Sequence, residues 1–123
     1  MLRYSLLISA ICLGCSQSEA PDLQGRWFGE SLINVDAQYL ASATGWVRGT
    51  SFEFTGHSVT VTIPTELPRT APYEVVAADD HHVTIAVHRP NGQRDMAQFT
   101  MQGAHVMNWD IGDNRAVVLR RLE

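Results

Sequence analysis

The chain has 123 residues, 9 basic and 13 acidic, for a formal net charge of −4. That balance argues against a nucleic-acid partner and against electrostatic attraction to an anionic lipid surface. The only two cysteines, Cys12 and Cys15, stand near the N-terminus, so no disulfide framework staples the rest of the chain.

Residues 1–5 carry one positive charge, Arg3, and residues 6–13 are apolar but for Ser9. A membrane-spanning helix needs ~20 apolar residues, so this stretch is too short to cross. It fits the h-region of a signal peptide, roughly 7–15 residues. Cleavage after Ala20 would leave Pro21 next to the cut, a poor substrate. The alternative cut lies between Gly14 and Cys15. Leu13-Gly14-Cys15 resembles the last three positions of the bacterial lipoprotein box, with Cys12 standing where Leu or Val is usual.

That resemblance implies a signal peptide over 1–14 and a lipidated Cys15, its sulfur in a thioether to diacylglycerol and its amine acylated, as by palmitate. One chain anchors marginally, at about 0.8 kcal/mol per buried CH₂, whereas two or three hold firmly. Ser16 rather than Asp after the cysteine implies the outer membrane, with the domain facing the periplasm or the cell surface. Arg3 would leave with the signal, so the mature chain keeps 8 basic against 13 acidic residues. No cysteine then remains for a disulfide or a thiolate metal site. Residues 15–22 read as lipidated cysteine and polar tether, reaching about 25 Å when extended.

From Leu23 onward apolar residues recur with period two. Phe52 and Phe54 alternate with Glu53; Val59, Val61 and Ile63 with Thr60 and Thr62; Val83, Ile85 and Val87 with Thr84 and Ala86. The same holds for Ala97, Phe99 and Met101 and for Met107, Trp109 and Ile111. Alternation of this kind marks half-buried strands. It predicts eight, over 26–35, 46–55, 58–63, 71–78, 81–88, 94–101, 105–111 and 115–122. Asn91-Gly92 and Gly112-Asp113-Asn114 are hairpin signals, because these residues tolerate positive φ. A short helix is expected over 36–43, capped by Asp36. Pro64, Pro68 and Pro72 predict a loop over 64–72.

Eight meandering antiparallel strands must hide two sheet edges, and closure into an up-and-down barrel does so most simply. The expected fold is therefore an all-β barrel domain over 23–123, with a two-sheet sandwich as the alternative. Expected inward side chains include Trp27, Phe52, Phe54, Tyr73, Val75, Phe99, Trp109 and Val118.

Gly25-Arg26-Trp27 opens the first strand, and an arginine pair, Arg120-Arg121, closes the last. This resembles the Gly-x-Trp signature of lipocalins and their calycin relatives. The resemblance, strongest to small lipocalin-like bacterial lipoproteins, implies that Gly25, Trp27 and a terminal arginine close one end of the barrel. Parity with Val118 and Leu122 favours Arg120; parity with Val117 and Leu119 would favour Arg121. A cation over an indole face contributes ~0.5–2 kcal/mol.

Catalytic motifs are missing from the sequence: there is no nucleophile elbow, no His-Glu-x-x-His and no phosphate-cradling glycine loop. The expectation is a non-enzyme with no cofactor. Adjacent strand residues face opposite ways, so His81 and His82 do not naturally share a metal. Met101, His105 and Met107 offer soft Cu(I) chemistry, but Met more commonly fills cores, and no metal is expected.

A barrel of eight strands is just wide enough to be filled by side chains or to hold one small ligand. A lumen ligand would meet Phe52, Phe54, Tyr73, Phe99 and Trp109, with Tyr39 or Arg48 at the mouth. The expected partners are the membrane, through Cys15, and a small apolar or amphipathic ligand bound without catalysis. The alternative is a filled barrel acting as a protein-binding or inhibitor-like module on an envelope protein, through loops 36–45 and 64–72.

Overall fold

A computed structural model describes residues 21–122. The signal segment, Cys15 and residues 16–20 of the tether lie outside the described residues. The strands are β1 (Gly25–Ile33), β2 (Ser51–Phe54), β3 (Ser58–Thr62), β4 (Arg69–Ala78), β5 (His82–His88), β6 (Arg94–Met101), β7 (Val106–Gly112) and β8 (Arg115–Arg121). Each pairs antiparallel with the next, and β8 returns to β1, so the sheet is a closed eight-stranded up-and-down barrel. Closure leaves no whole strand at an edge, which settles the choice between barrel and sandwich.

The hairpin chemistry follows the sequence. Asp113 and Asn114 both hold positive φ (55° and 60°) in the β7–β8 turn. Gly92 sits at φ 88° in the β5–β6 turn, where its N–H donates to the Arg89 carbonyl over 3.0 Å. Arg89 is then held bidentately by Asp95, at 2.7 and 2.8 Å.

The connection between β1 and β2 departs from the expected strand over 46–55. Residues Leu40–Arg48 form a helix, α1, after a 3₁₀ turn at Ala37–Tyr39. Trp46, Val47 and Arg48 are therefore helical. Asp36 makes no side-chain capping bond, contrary to the capping role expected of it. The helix forms because its last turn docks on the barrel. Val47 is fully buried, and its carbonyl lies where Gly29 has no side chain. Thr50, also fully buried, donates its hydroxyl to the Trp46 carbonyl at 3.0 Å and its N–H to that of Val47 at 3.0 Å. Tertiary burial here outweighs the strand preference of a β-branched residue.

One boundary and one register also shift. β4 begins at Arg69, so Pro72 lies inside a strand, opposite Ser58. A bulge in β1 between Gly29 and Ser31 shifts the register against β8. On β8 the buried residues are Val117 and Leu119, with Val118 only half-buried. The inward parity is thus 117, 119 and 121, not the parity of Val118 and Arg120. Val75, expected inside, is 50% exposed.

Candidate binding site

The end of the barrel where β1 begins is built around Trp27, which is fully buried. Its indole N–H donates to the Leu23 carbonyl at 2.9 Å, which folds the N-terminal lead under the barrel. Gln24 ties the same lead to the β2–β3 turn, its side-chain amide donating to the Thr55 carbonyl at 2.8 Å. The cation over the indole is Arg121, whose Cζ lies 4.4 Å from the ring centroid. Its guanidinium also donates to the carbonyls of Ala104 (3.1 Å), Asp22 (2.6 Å) and Gln24. One side chain thus joins the lead, the β6–β7 turn and the Trp27 plug.

Arg120, expected in that role, points outward instead. It pairs bidentately with Glu30 at 2.8 and 3.1 Å. The hydrogen bonds from Arg120, with its charge, hold the Glu30 carboxyl below its usual range. The correction follows from strand alternation: buried Leu119 fixes Arg121 on the inner face and Arg120 on the outer.

The five aromatic residues expected to line a ligand pocket do come together in the lumen. They are one another's neighbours. Phe52 stands edge-on to Phe99 at 5.6 Å and to Trp109 at 5.0 Å; Phe54 stands edge-on to Phe99 at 6.0 Å and to Tyr73 at 5.3 Å. Such T-shaped pairs contribute ~0.5–1.5 kcal/mol beyond area burial. Phe52, Phe54 and Phe99 are buried, with Val59, Val83 and Ile85 packed around them. Tyr73 is satisfied at the rim, where its hydroxyl donates to the Thr55 carbonyl at 3.2 Å. Partial burial, then the nearby Asp22 charge, push its pKa up. Tyr39 and Arg48, expected at a lumen mouth, are exposed on the α1 connection.

A large concavity lies outside the lumen, at the Trp27 end. It is an open cleft of about 940 Å³ between the lead, the β4–β5 turn and the β6–β7 turn. Met101 and Ala104 give it an apolar side; His81, His105 and Arg121 border it, and Pro21 marks where the lead meets it. The β4–β5 turn is held in shape by Asp79. Its carboxylate accepts the N–H groups of His81 and His82, each at 2.8 Å, and faces the His82 ring at 3.1 Å. Those two backbone bonds, then the ring, hold the Asp79 carboxyl below its usual range. The soft-metal grouping does not form: Met107 is fully buried in the core while His105 sits exposed in the β6–β7 turn. Among the described residues, no three His, Cys, Asp or Glu side chains gather as a metal site.

Sequence reasoning missed the cleft because its walls are two turns and a lead, which carry no periodic signal. The one available clue was that four polar or histidine residues, 79–82, form a single turn.

A closed eight-stranded up-and-down barrel, plugged by a tryptophan under an arginine, is compatible with a lipocalin-like fold. Set against family models, curated proteins and solved structures, the chain has no match.

Proposed function

We propose that this protein is a lipoprotein anchored through Cys15 to the bacterial outer membrane. In this reading its barrel binds a small amphipathic ligand without catalysis, in the cleft at the Trp27 end. The observation that carries it is the pairing of a lumen packed with aromatic side chains and an open cleft of about 940 Å³ beside it. Ligand sites are typically concave, mostly apolar and furnished with a few polar groups. Met101 and Ala104 would contact the apolar part; His81 and His105 would meet the polar part.

The position of the cleft supports the same reading. Pro21 borders it, and only residues 16–20 separate Pro21 from Cys15. At ~3.3 Å per extended residue that link spans no more than about 20 Å. The anchor would therefore hold the cleft near the bilayer, where amphipathic molecules are concentrated.

Two measurements test the proposal. Intact mass of membrane-purified protein should show a chain starting at Cys15 and carrying diacylglycerol plus an acyl group; an unmodified cysteine refutes the anchor. Titration with lauric acid, followed by NMR, should move the Met101 methyl and the His81 and His105 ring signals. Ile85 and Phe99 should stay still. Movement centred on Phe99 would assign the ligand to the lumen, and no saturable movement would refute the binding reading.

A further inference from the structure

The chain has five histidines, and three of them, His81, His82 and His105, border the cleft at the Trp27 end. All three are exposed, so core packing does not account for the grouping. The backbone brings their two turns together. The Met101 N–H donates to the His81 carbonyl at 2.6 Å, and the Arg121 N–H donates to the His105 carbonyl at 2.8 Å. His81 is thereby stitched beside the apolar Met101, and His105 beside Arg121. The other two histidines stand apart from the cleft: His57 in the β2–β3 turn, and His88 at the far end of β5, against Glu74 at 3.1 Å.

The charges around these rings come from three elements. The lead supplies Asp22, the β4–β5 turn supplies Asp79 and Asp80, and β8 supplies Arg121. One guanidinium against three carboxylates leaves the cleft negative by two while the imidazoles are neutral. Three protonated imidazoles make it positive by one. Histidine is the side chain whose ordinary charge change falls between about pH 5 and 8. Asp79 is held below the usual carboxylate range and Tyr73, at the rim, is pushed up, so neither changes charge in that interval. Mild acid therefore inverts the sign of this surface.

The added protons are not equivalent. His82 faces Asp79 at 3.1 Å, so its charge is met by that carboxylate. Arg121 is committed to the carbonyls of Asp22, Gln24 and Ala104 and to the Trp27 face. The charge that varies and remains for a ligand sits on His81 and His105, on either side of Met101 and Ala104.

We propose that the cleft selects an amphiphile with a single anionic headgroup and holds it more tightly in acid, with protonated His81 and His105 as the headgroup's partners. This rests on the reading of the cleft as the ligand site and adds the charge class of the ligand and its control by pH. Capture in acid and release near neutrality are the two directions of one equilibrium. By reciprocity, an anion bound there raises the proton affinity of the same two rings.

The test uses the membrane-purified protein in phosphatidylcholine nanodiscs. NMR follows the imidazole rings through a pH titration, without and with decanesulfonate, whose headgroup stays ionised throughout. The His81 and His105 midpoints should rise by about half a unit more than those of His57 and His88, or roughly threefold in affinity for each protonated ring. Decanesulfonate should then bind roughly tenfold more tightly at about pH 5.5 than at about pH 7.5, and the double variant His81→Gln with His105→Gln should lose that gain. Equal rises at all rings would report only a charged bilayer and overturn the inference, as would a tenfold gain retained in the double variant. A Met101 methyl that shifts to saturation while the midpoints stay fixed would keep the cleft as the ligand site and overturn its selectivity. No saturable shift at Met101 would overturn both.

Discussion

Gly29→Ala should be the most destabilising single-methyl change in this barrel, and its size follows from one contact. A Cβ built on Gly29 falls 1.9 Å from the Val47 carbonyl oxygen, 2.8 Å from its carbon and 2.9 Å from Cγ1. Carbon and oxygen prefer to stay beyond ~3.3 Å, so the last turn of α1 must retreat by more than an ångström. The obstacle is backbone, which has no rotamer to change. Overpacking of this kind costs about 1–3 kcal/mol. Full undocking would expose Val47, worth ~1.5–3 kcal/mol, and break the Thr50 N–H bond to its carbonyl, worth ~0.5–1.5 kcal/mol. A loss near 3 kcal/mol is expected, and a Tm fall of roughly 12–24 °C for a domain of this size. The control is Gly45→Ala in the same helix, where a new Cβ meets nothing within 4 Å. That change should stabilise by ~0.5–1 kcal/mol, because alanine restricts the unfolded chain and favours helix. Urea denaturation of both variants decides it. A Gly29→Ala loss under 1 kcal/mol, or equal effects at 29 and 45, would refute the docking of α1 on β1.

Arg121→Ala should cost about 2–3 kcal/mol, since it removes three bonds to carbonyls and the cover of Trp27, while Arg120→Ala should lower the denaturation midpoint far less, because its pair with Glu30 is solvent-screened; the two midpoints in the reverse order would overturn the assignment. Phe99→Ala should lose about 3–5 kcal/mol and open a dry apolar void, so benzene should raise the Tm of the variant and not of the wild type. The Asp79 carboxyl is held low, so its contribution is complete above the unfolded value near 3.8 and is lost as pH falls through the lower folded value. Carbon-detected NMR should find Asp79 titrating at lower pH than an unstructured aspartate; a midpoint at or above that of the unstructured residue would show that the β4–β5 turn is not organised by this carboxylate.

The strands were legible because alternation is a local signal. Where a single face is buried, as in Val83-Thr84-Ile85, sequence and burial coincide residue by residue. The reading failed wherever an outcome rested on a distant partner. Val47 is apolar, β-branched and next to a strand; only the missing side chain of Gly29, eighteen positions earlier, makes it the end of a helix. Arg120 and Arg121 were separable only once Leu119 was known to be buried. A one-residue error in parity reverses every side chain on a strand, and nothing within β8 itself sets that parity.

The same distinction explains why the lumen was anticipated and the cleft was not. Lumen residues are those the alternation points inward, so a sequence names them directly. In a barrel this narrow, five aromatic rings that point inward meet one another before they meet a ligand: their centroids stand 5.0 to 6.0 Å apart, edge to face. The large cleft lies where the wall is uneven, beyond the last hydrogen bonds shared by β3 and β4. The overhang of β4 and β5 past β3 creates that unevenness at the Trp27 end. One register offset thus accounts for two features: a cleft beside the turn at Asp79, and an open strand edge at Val75 and Val76.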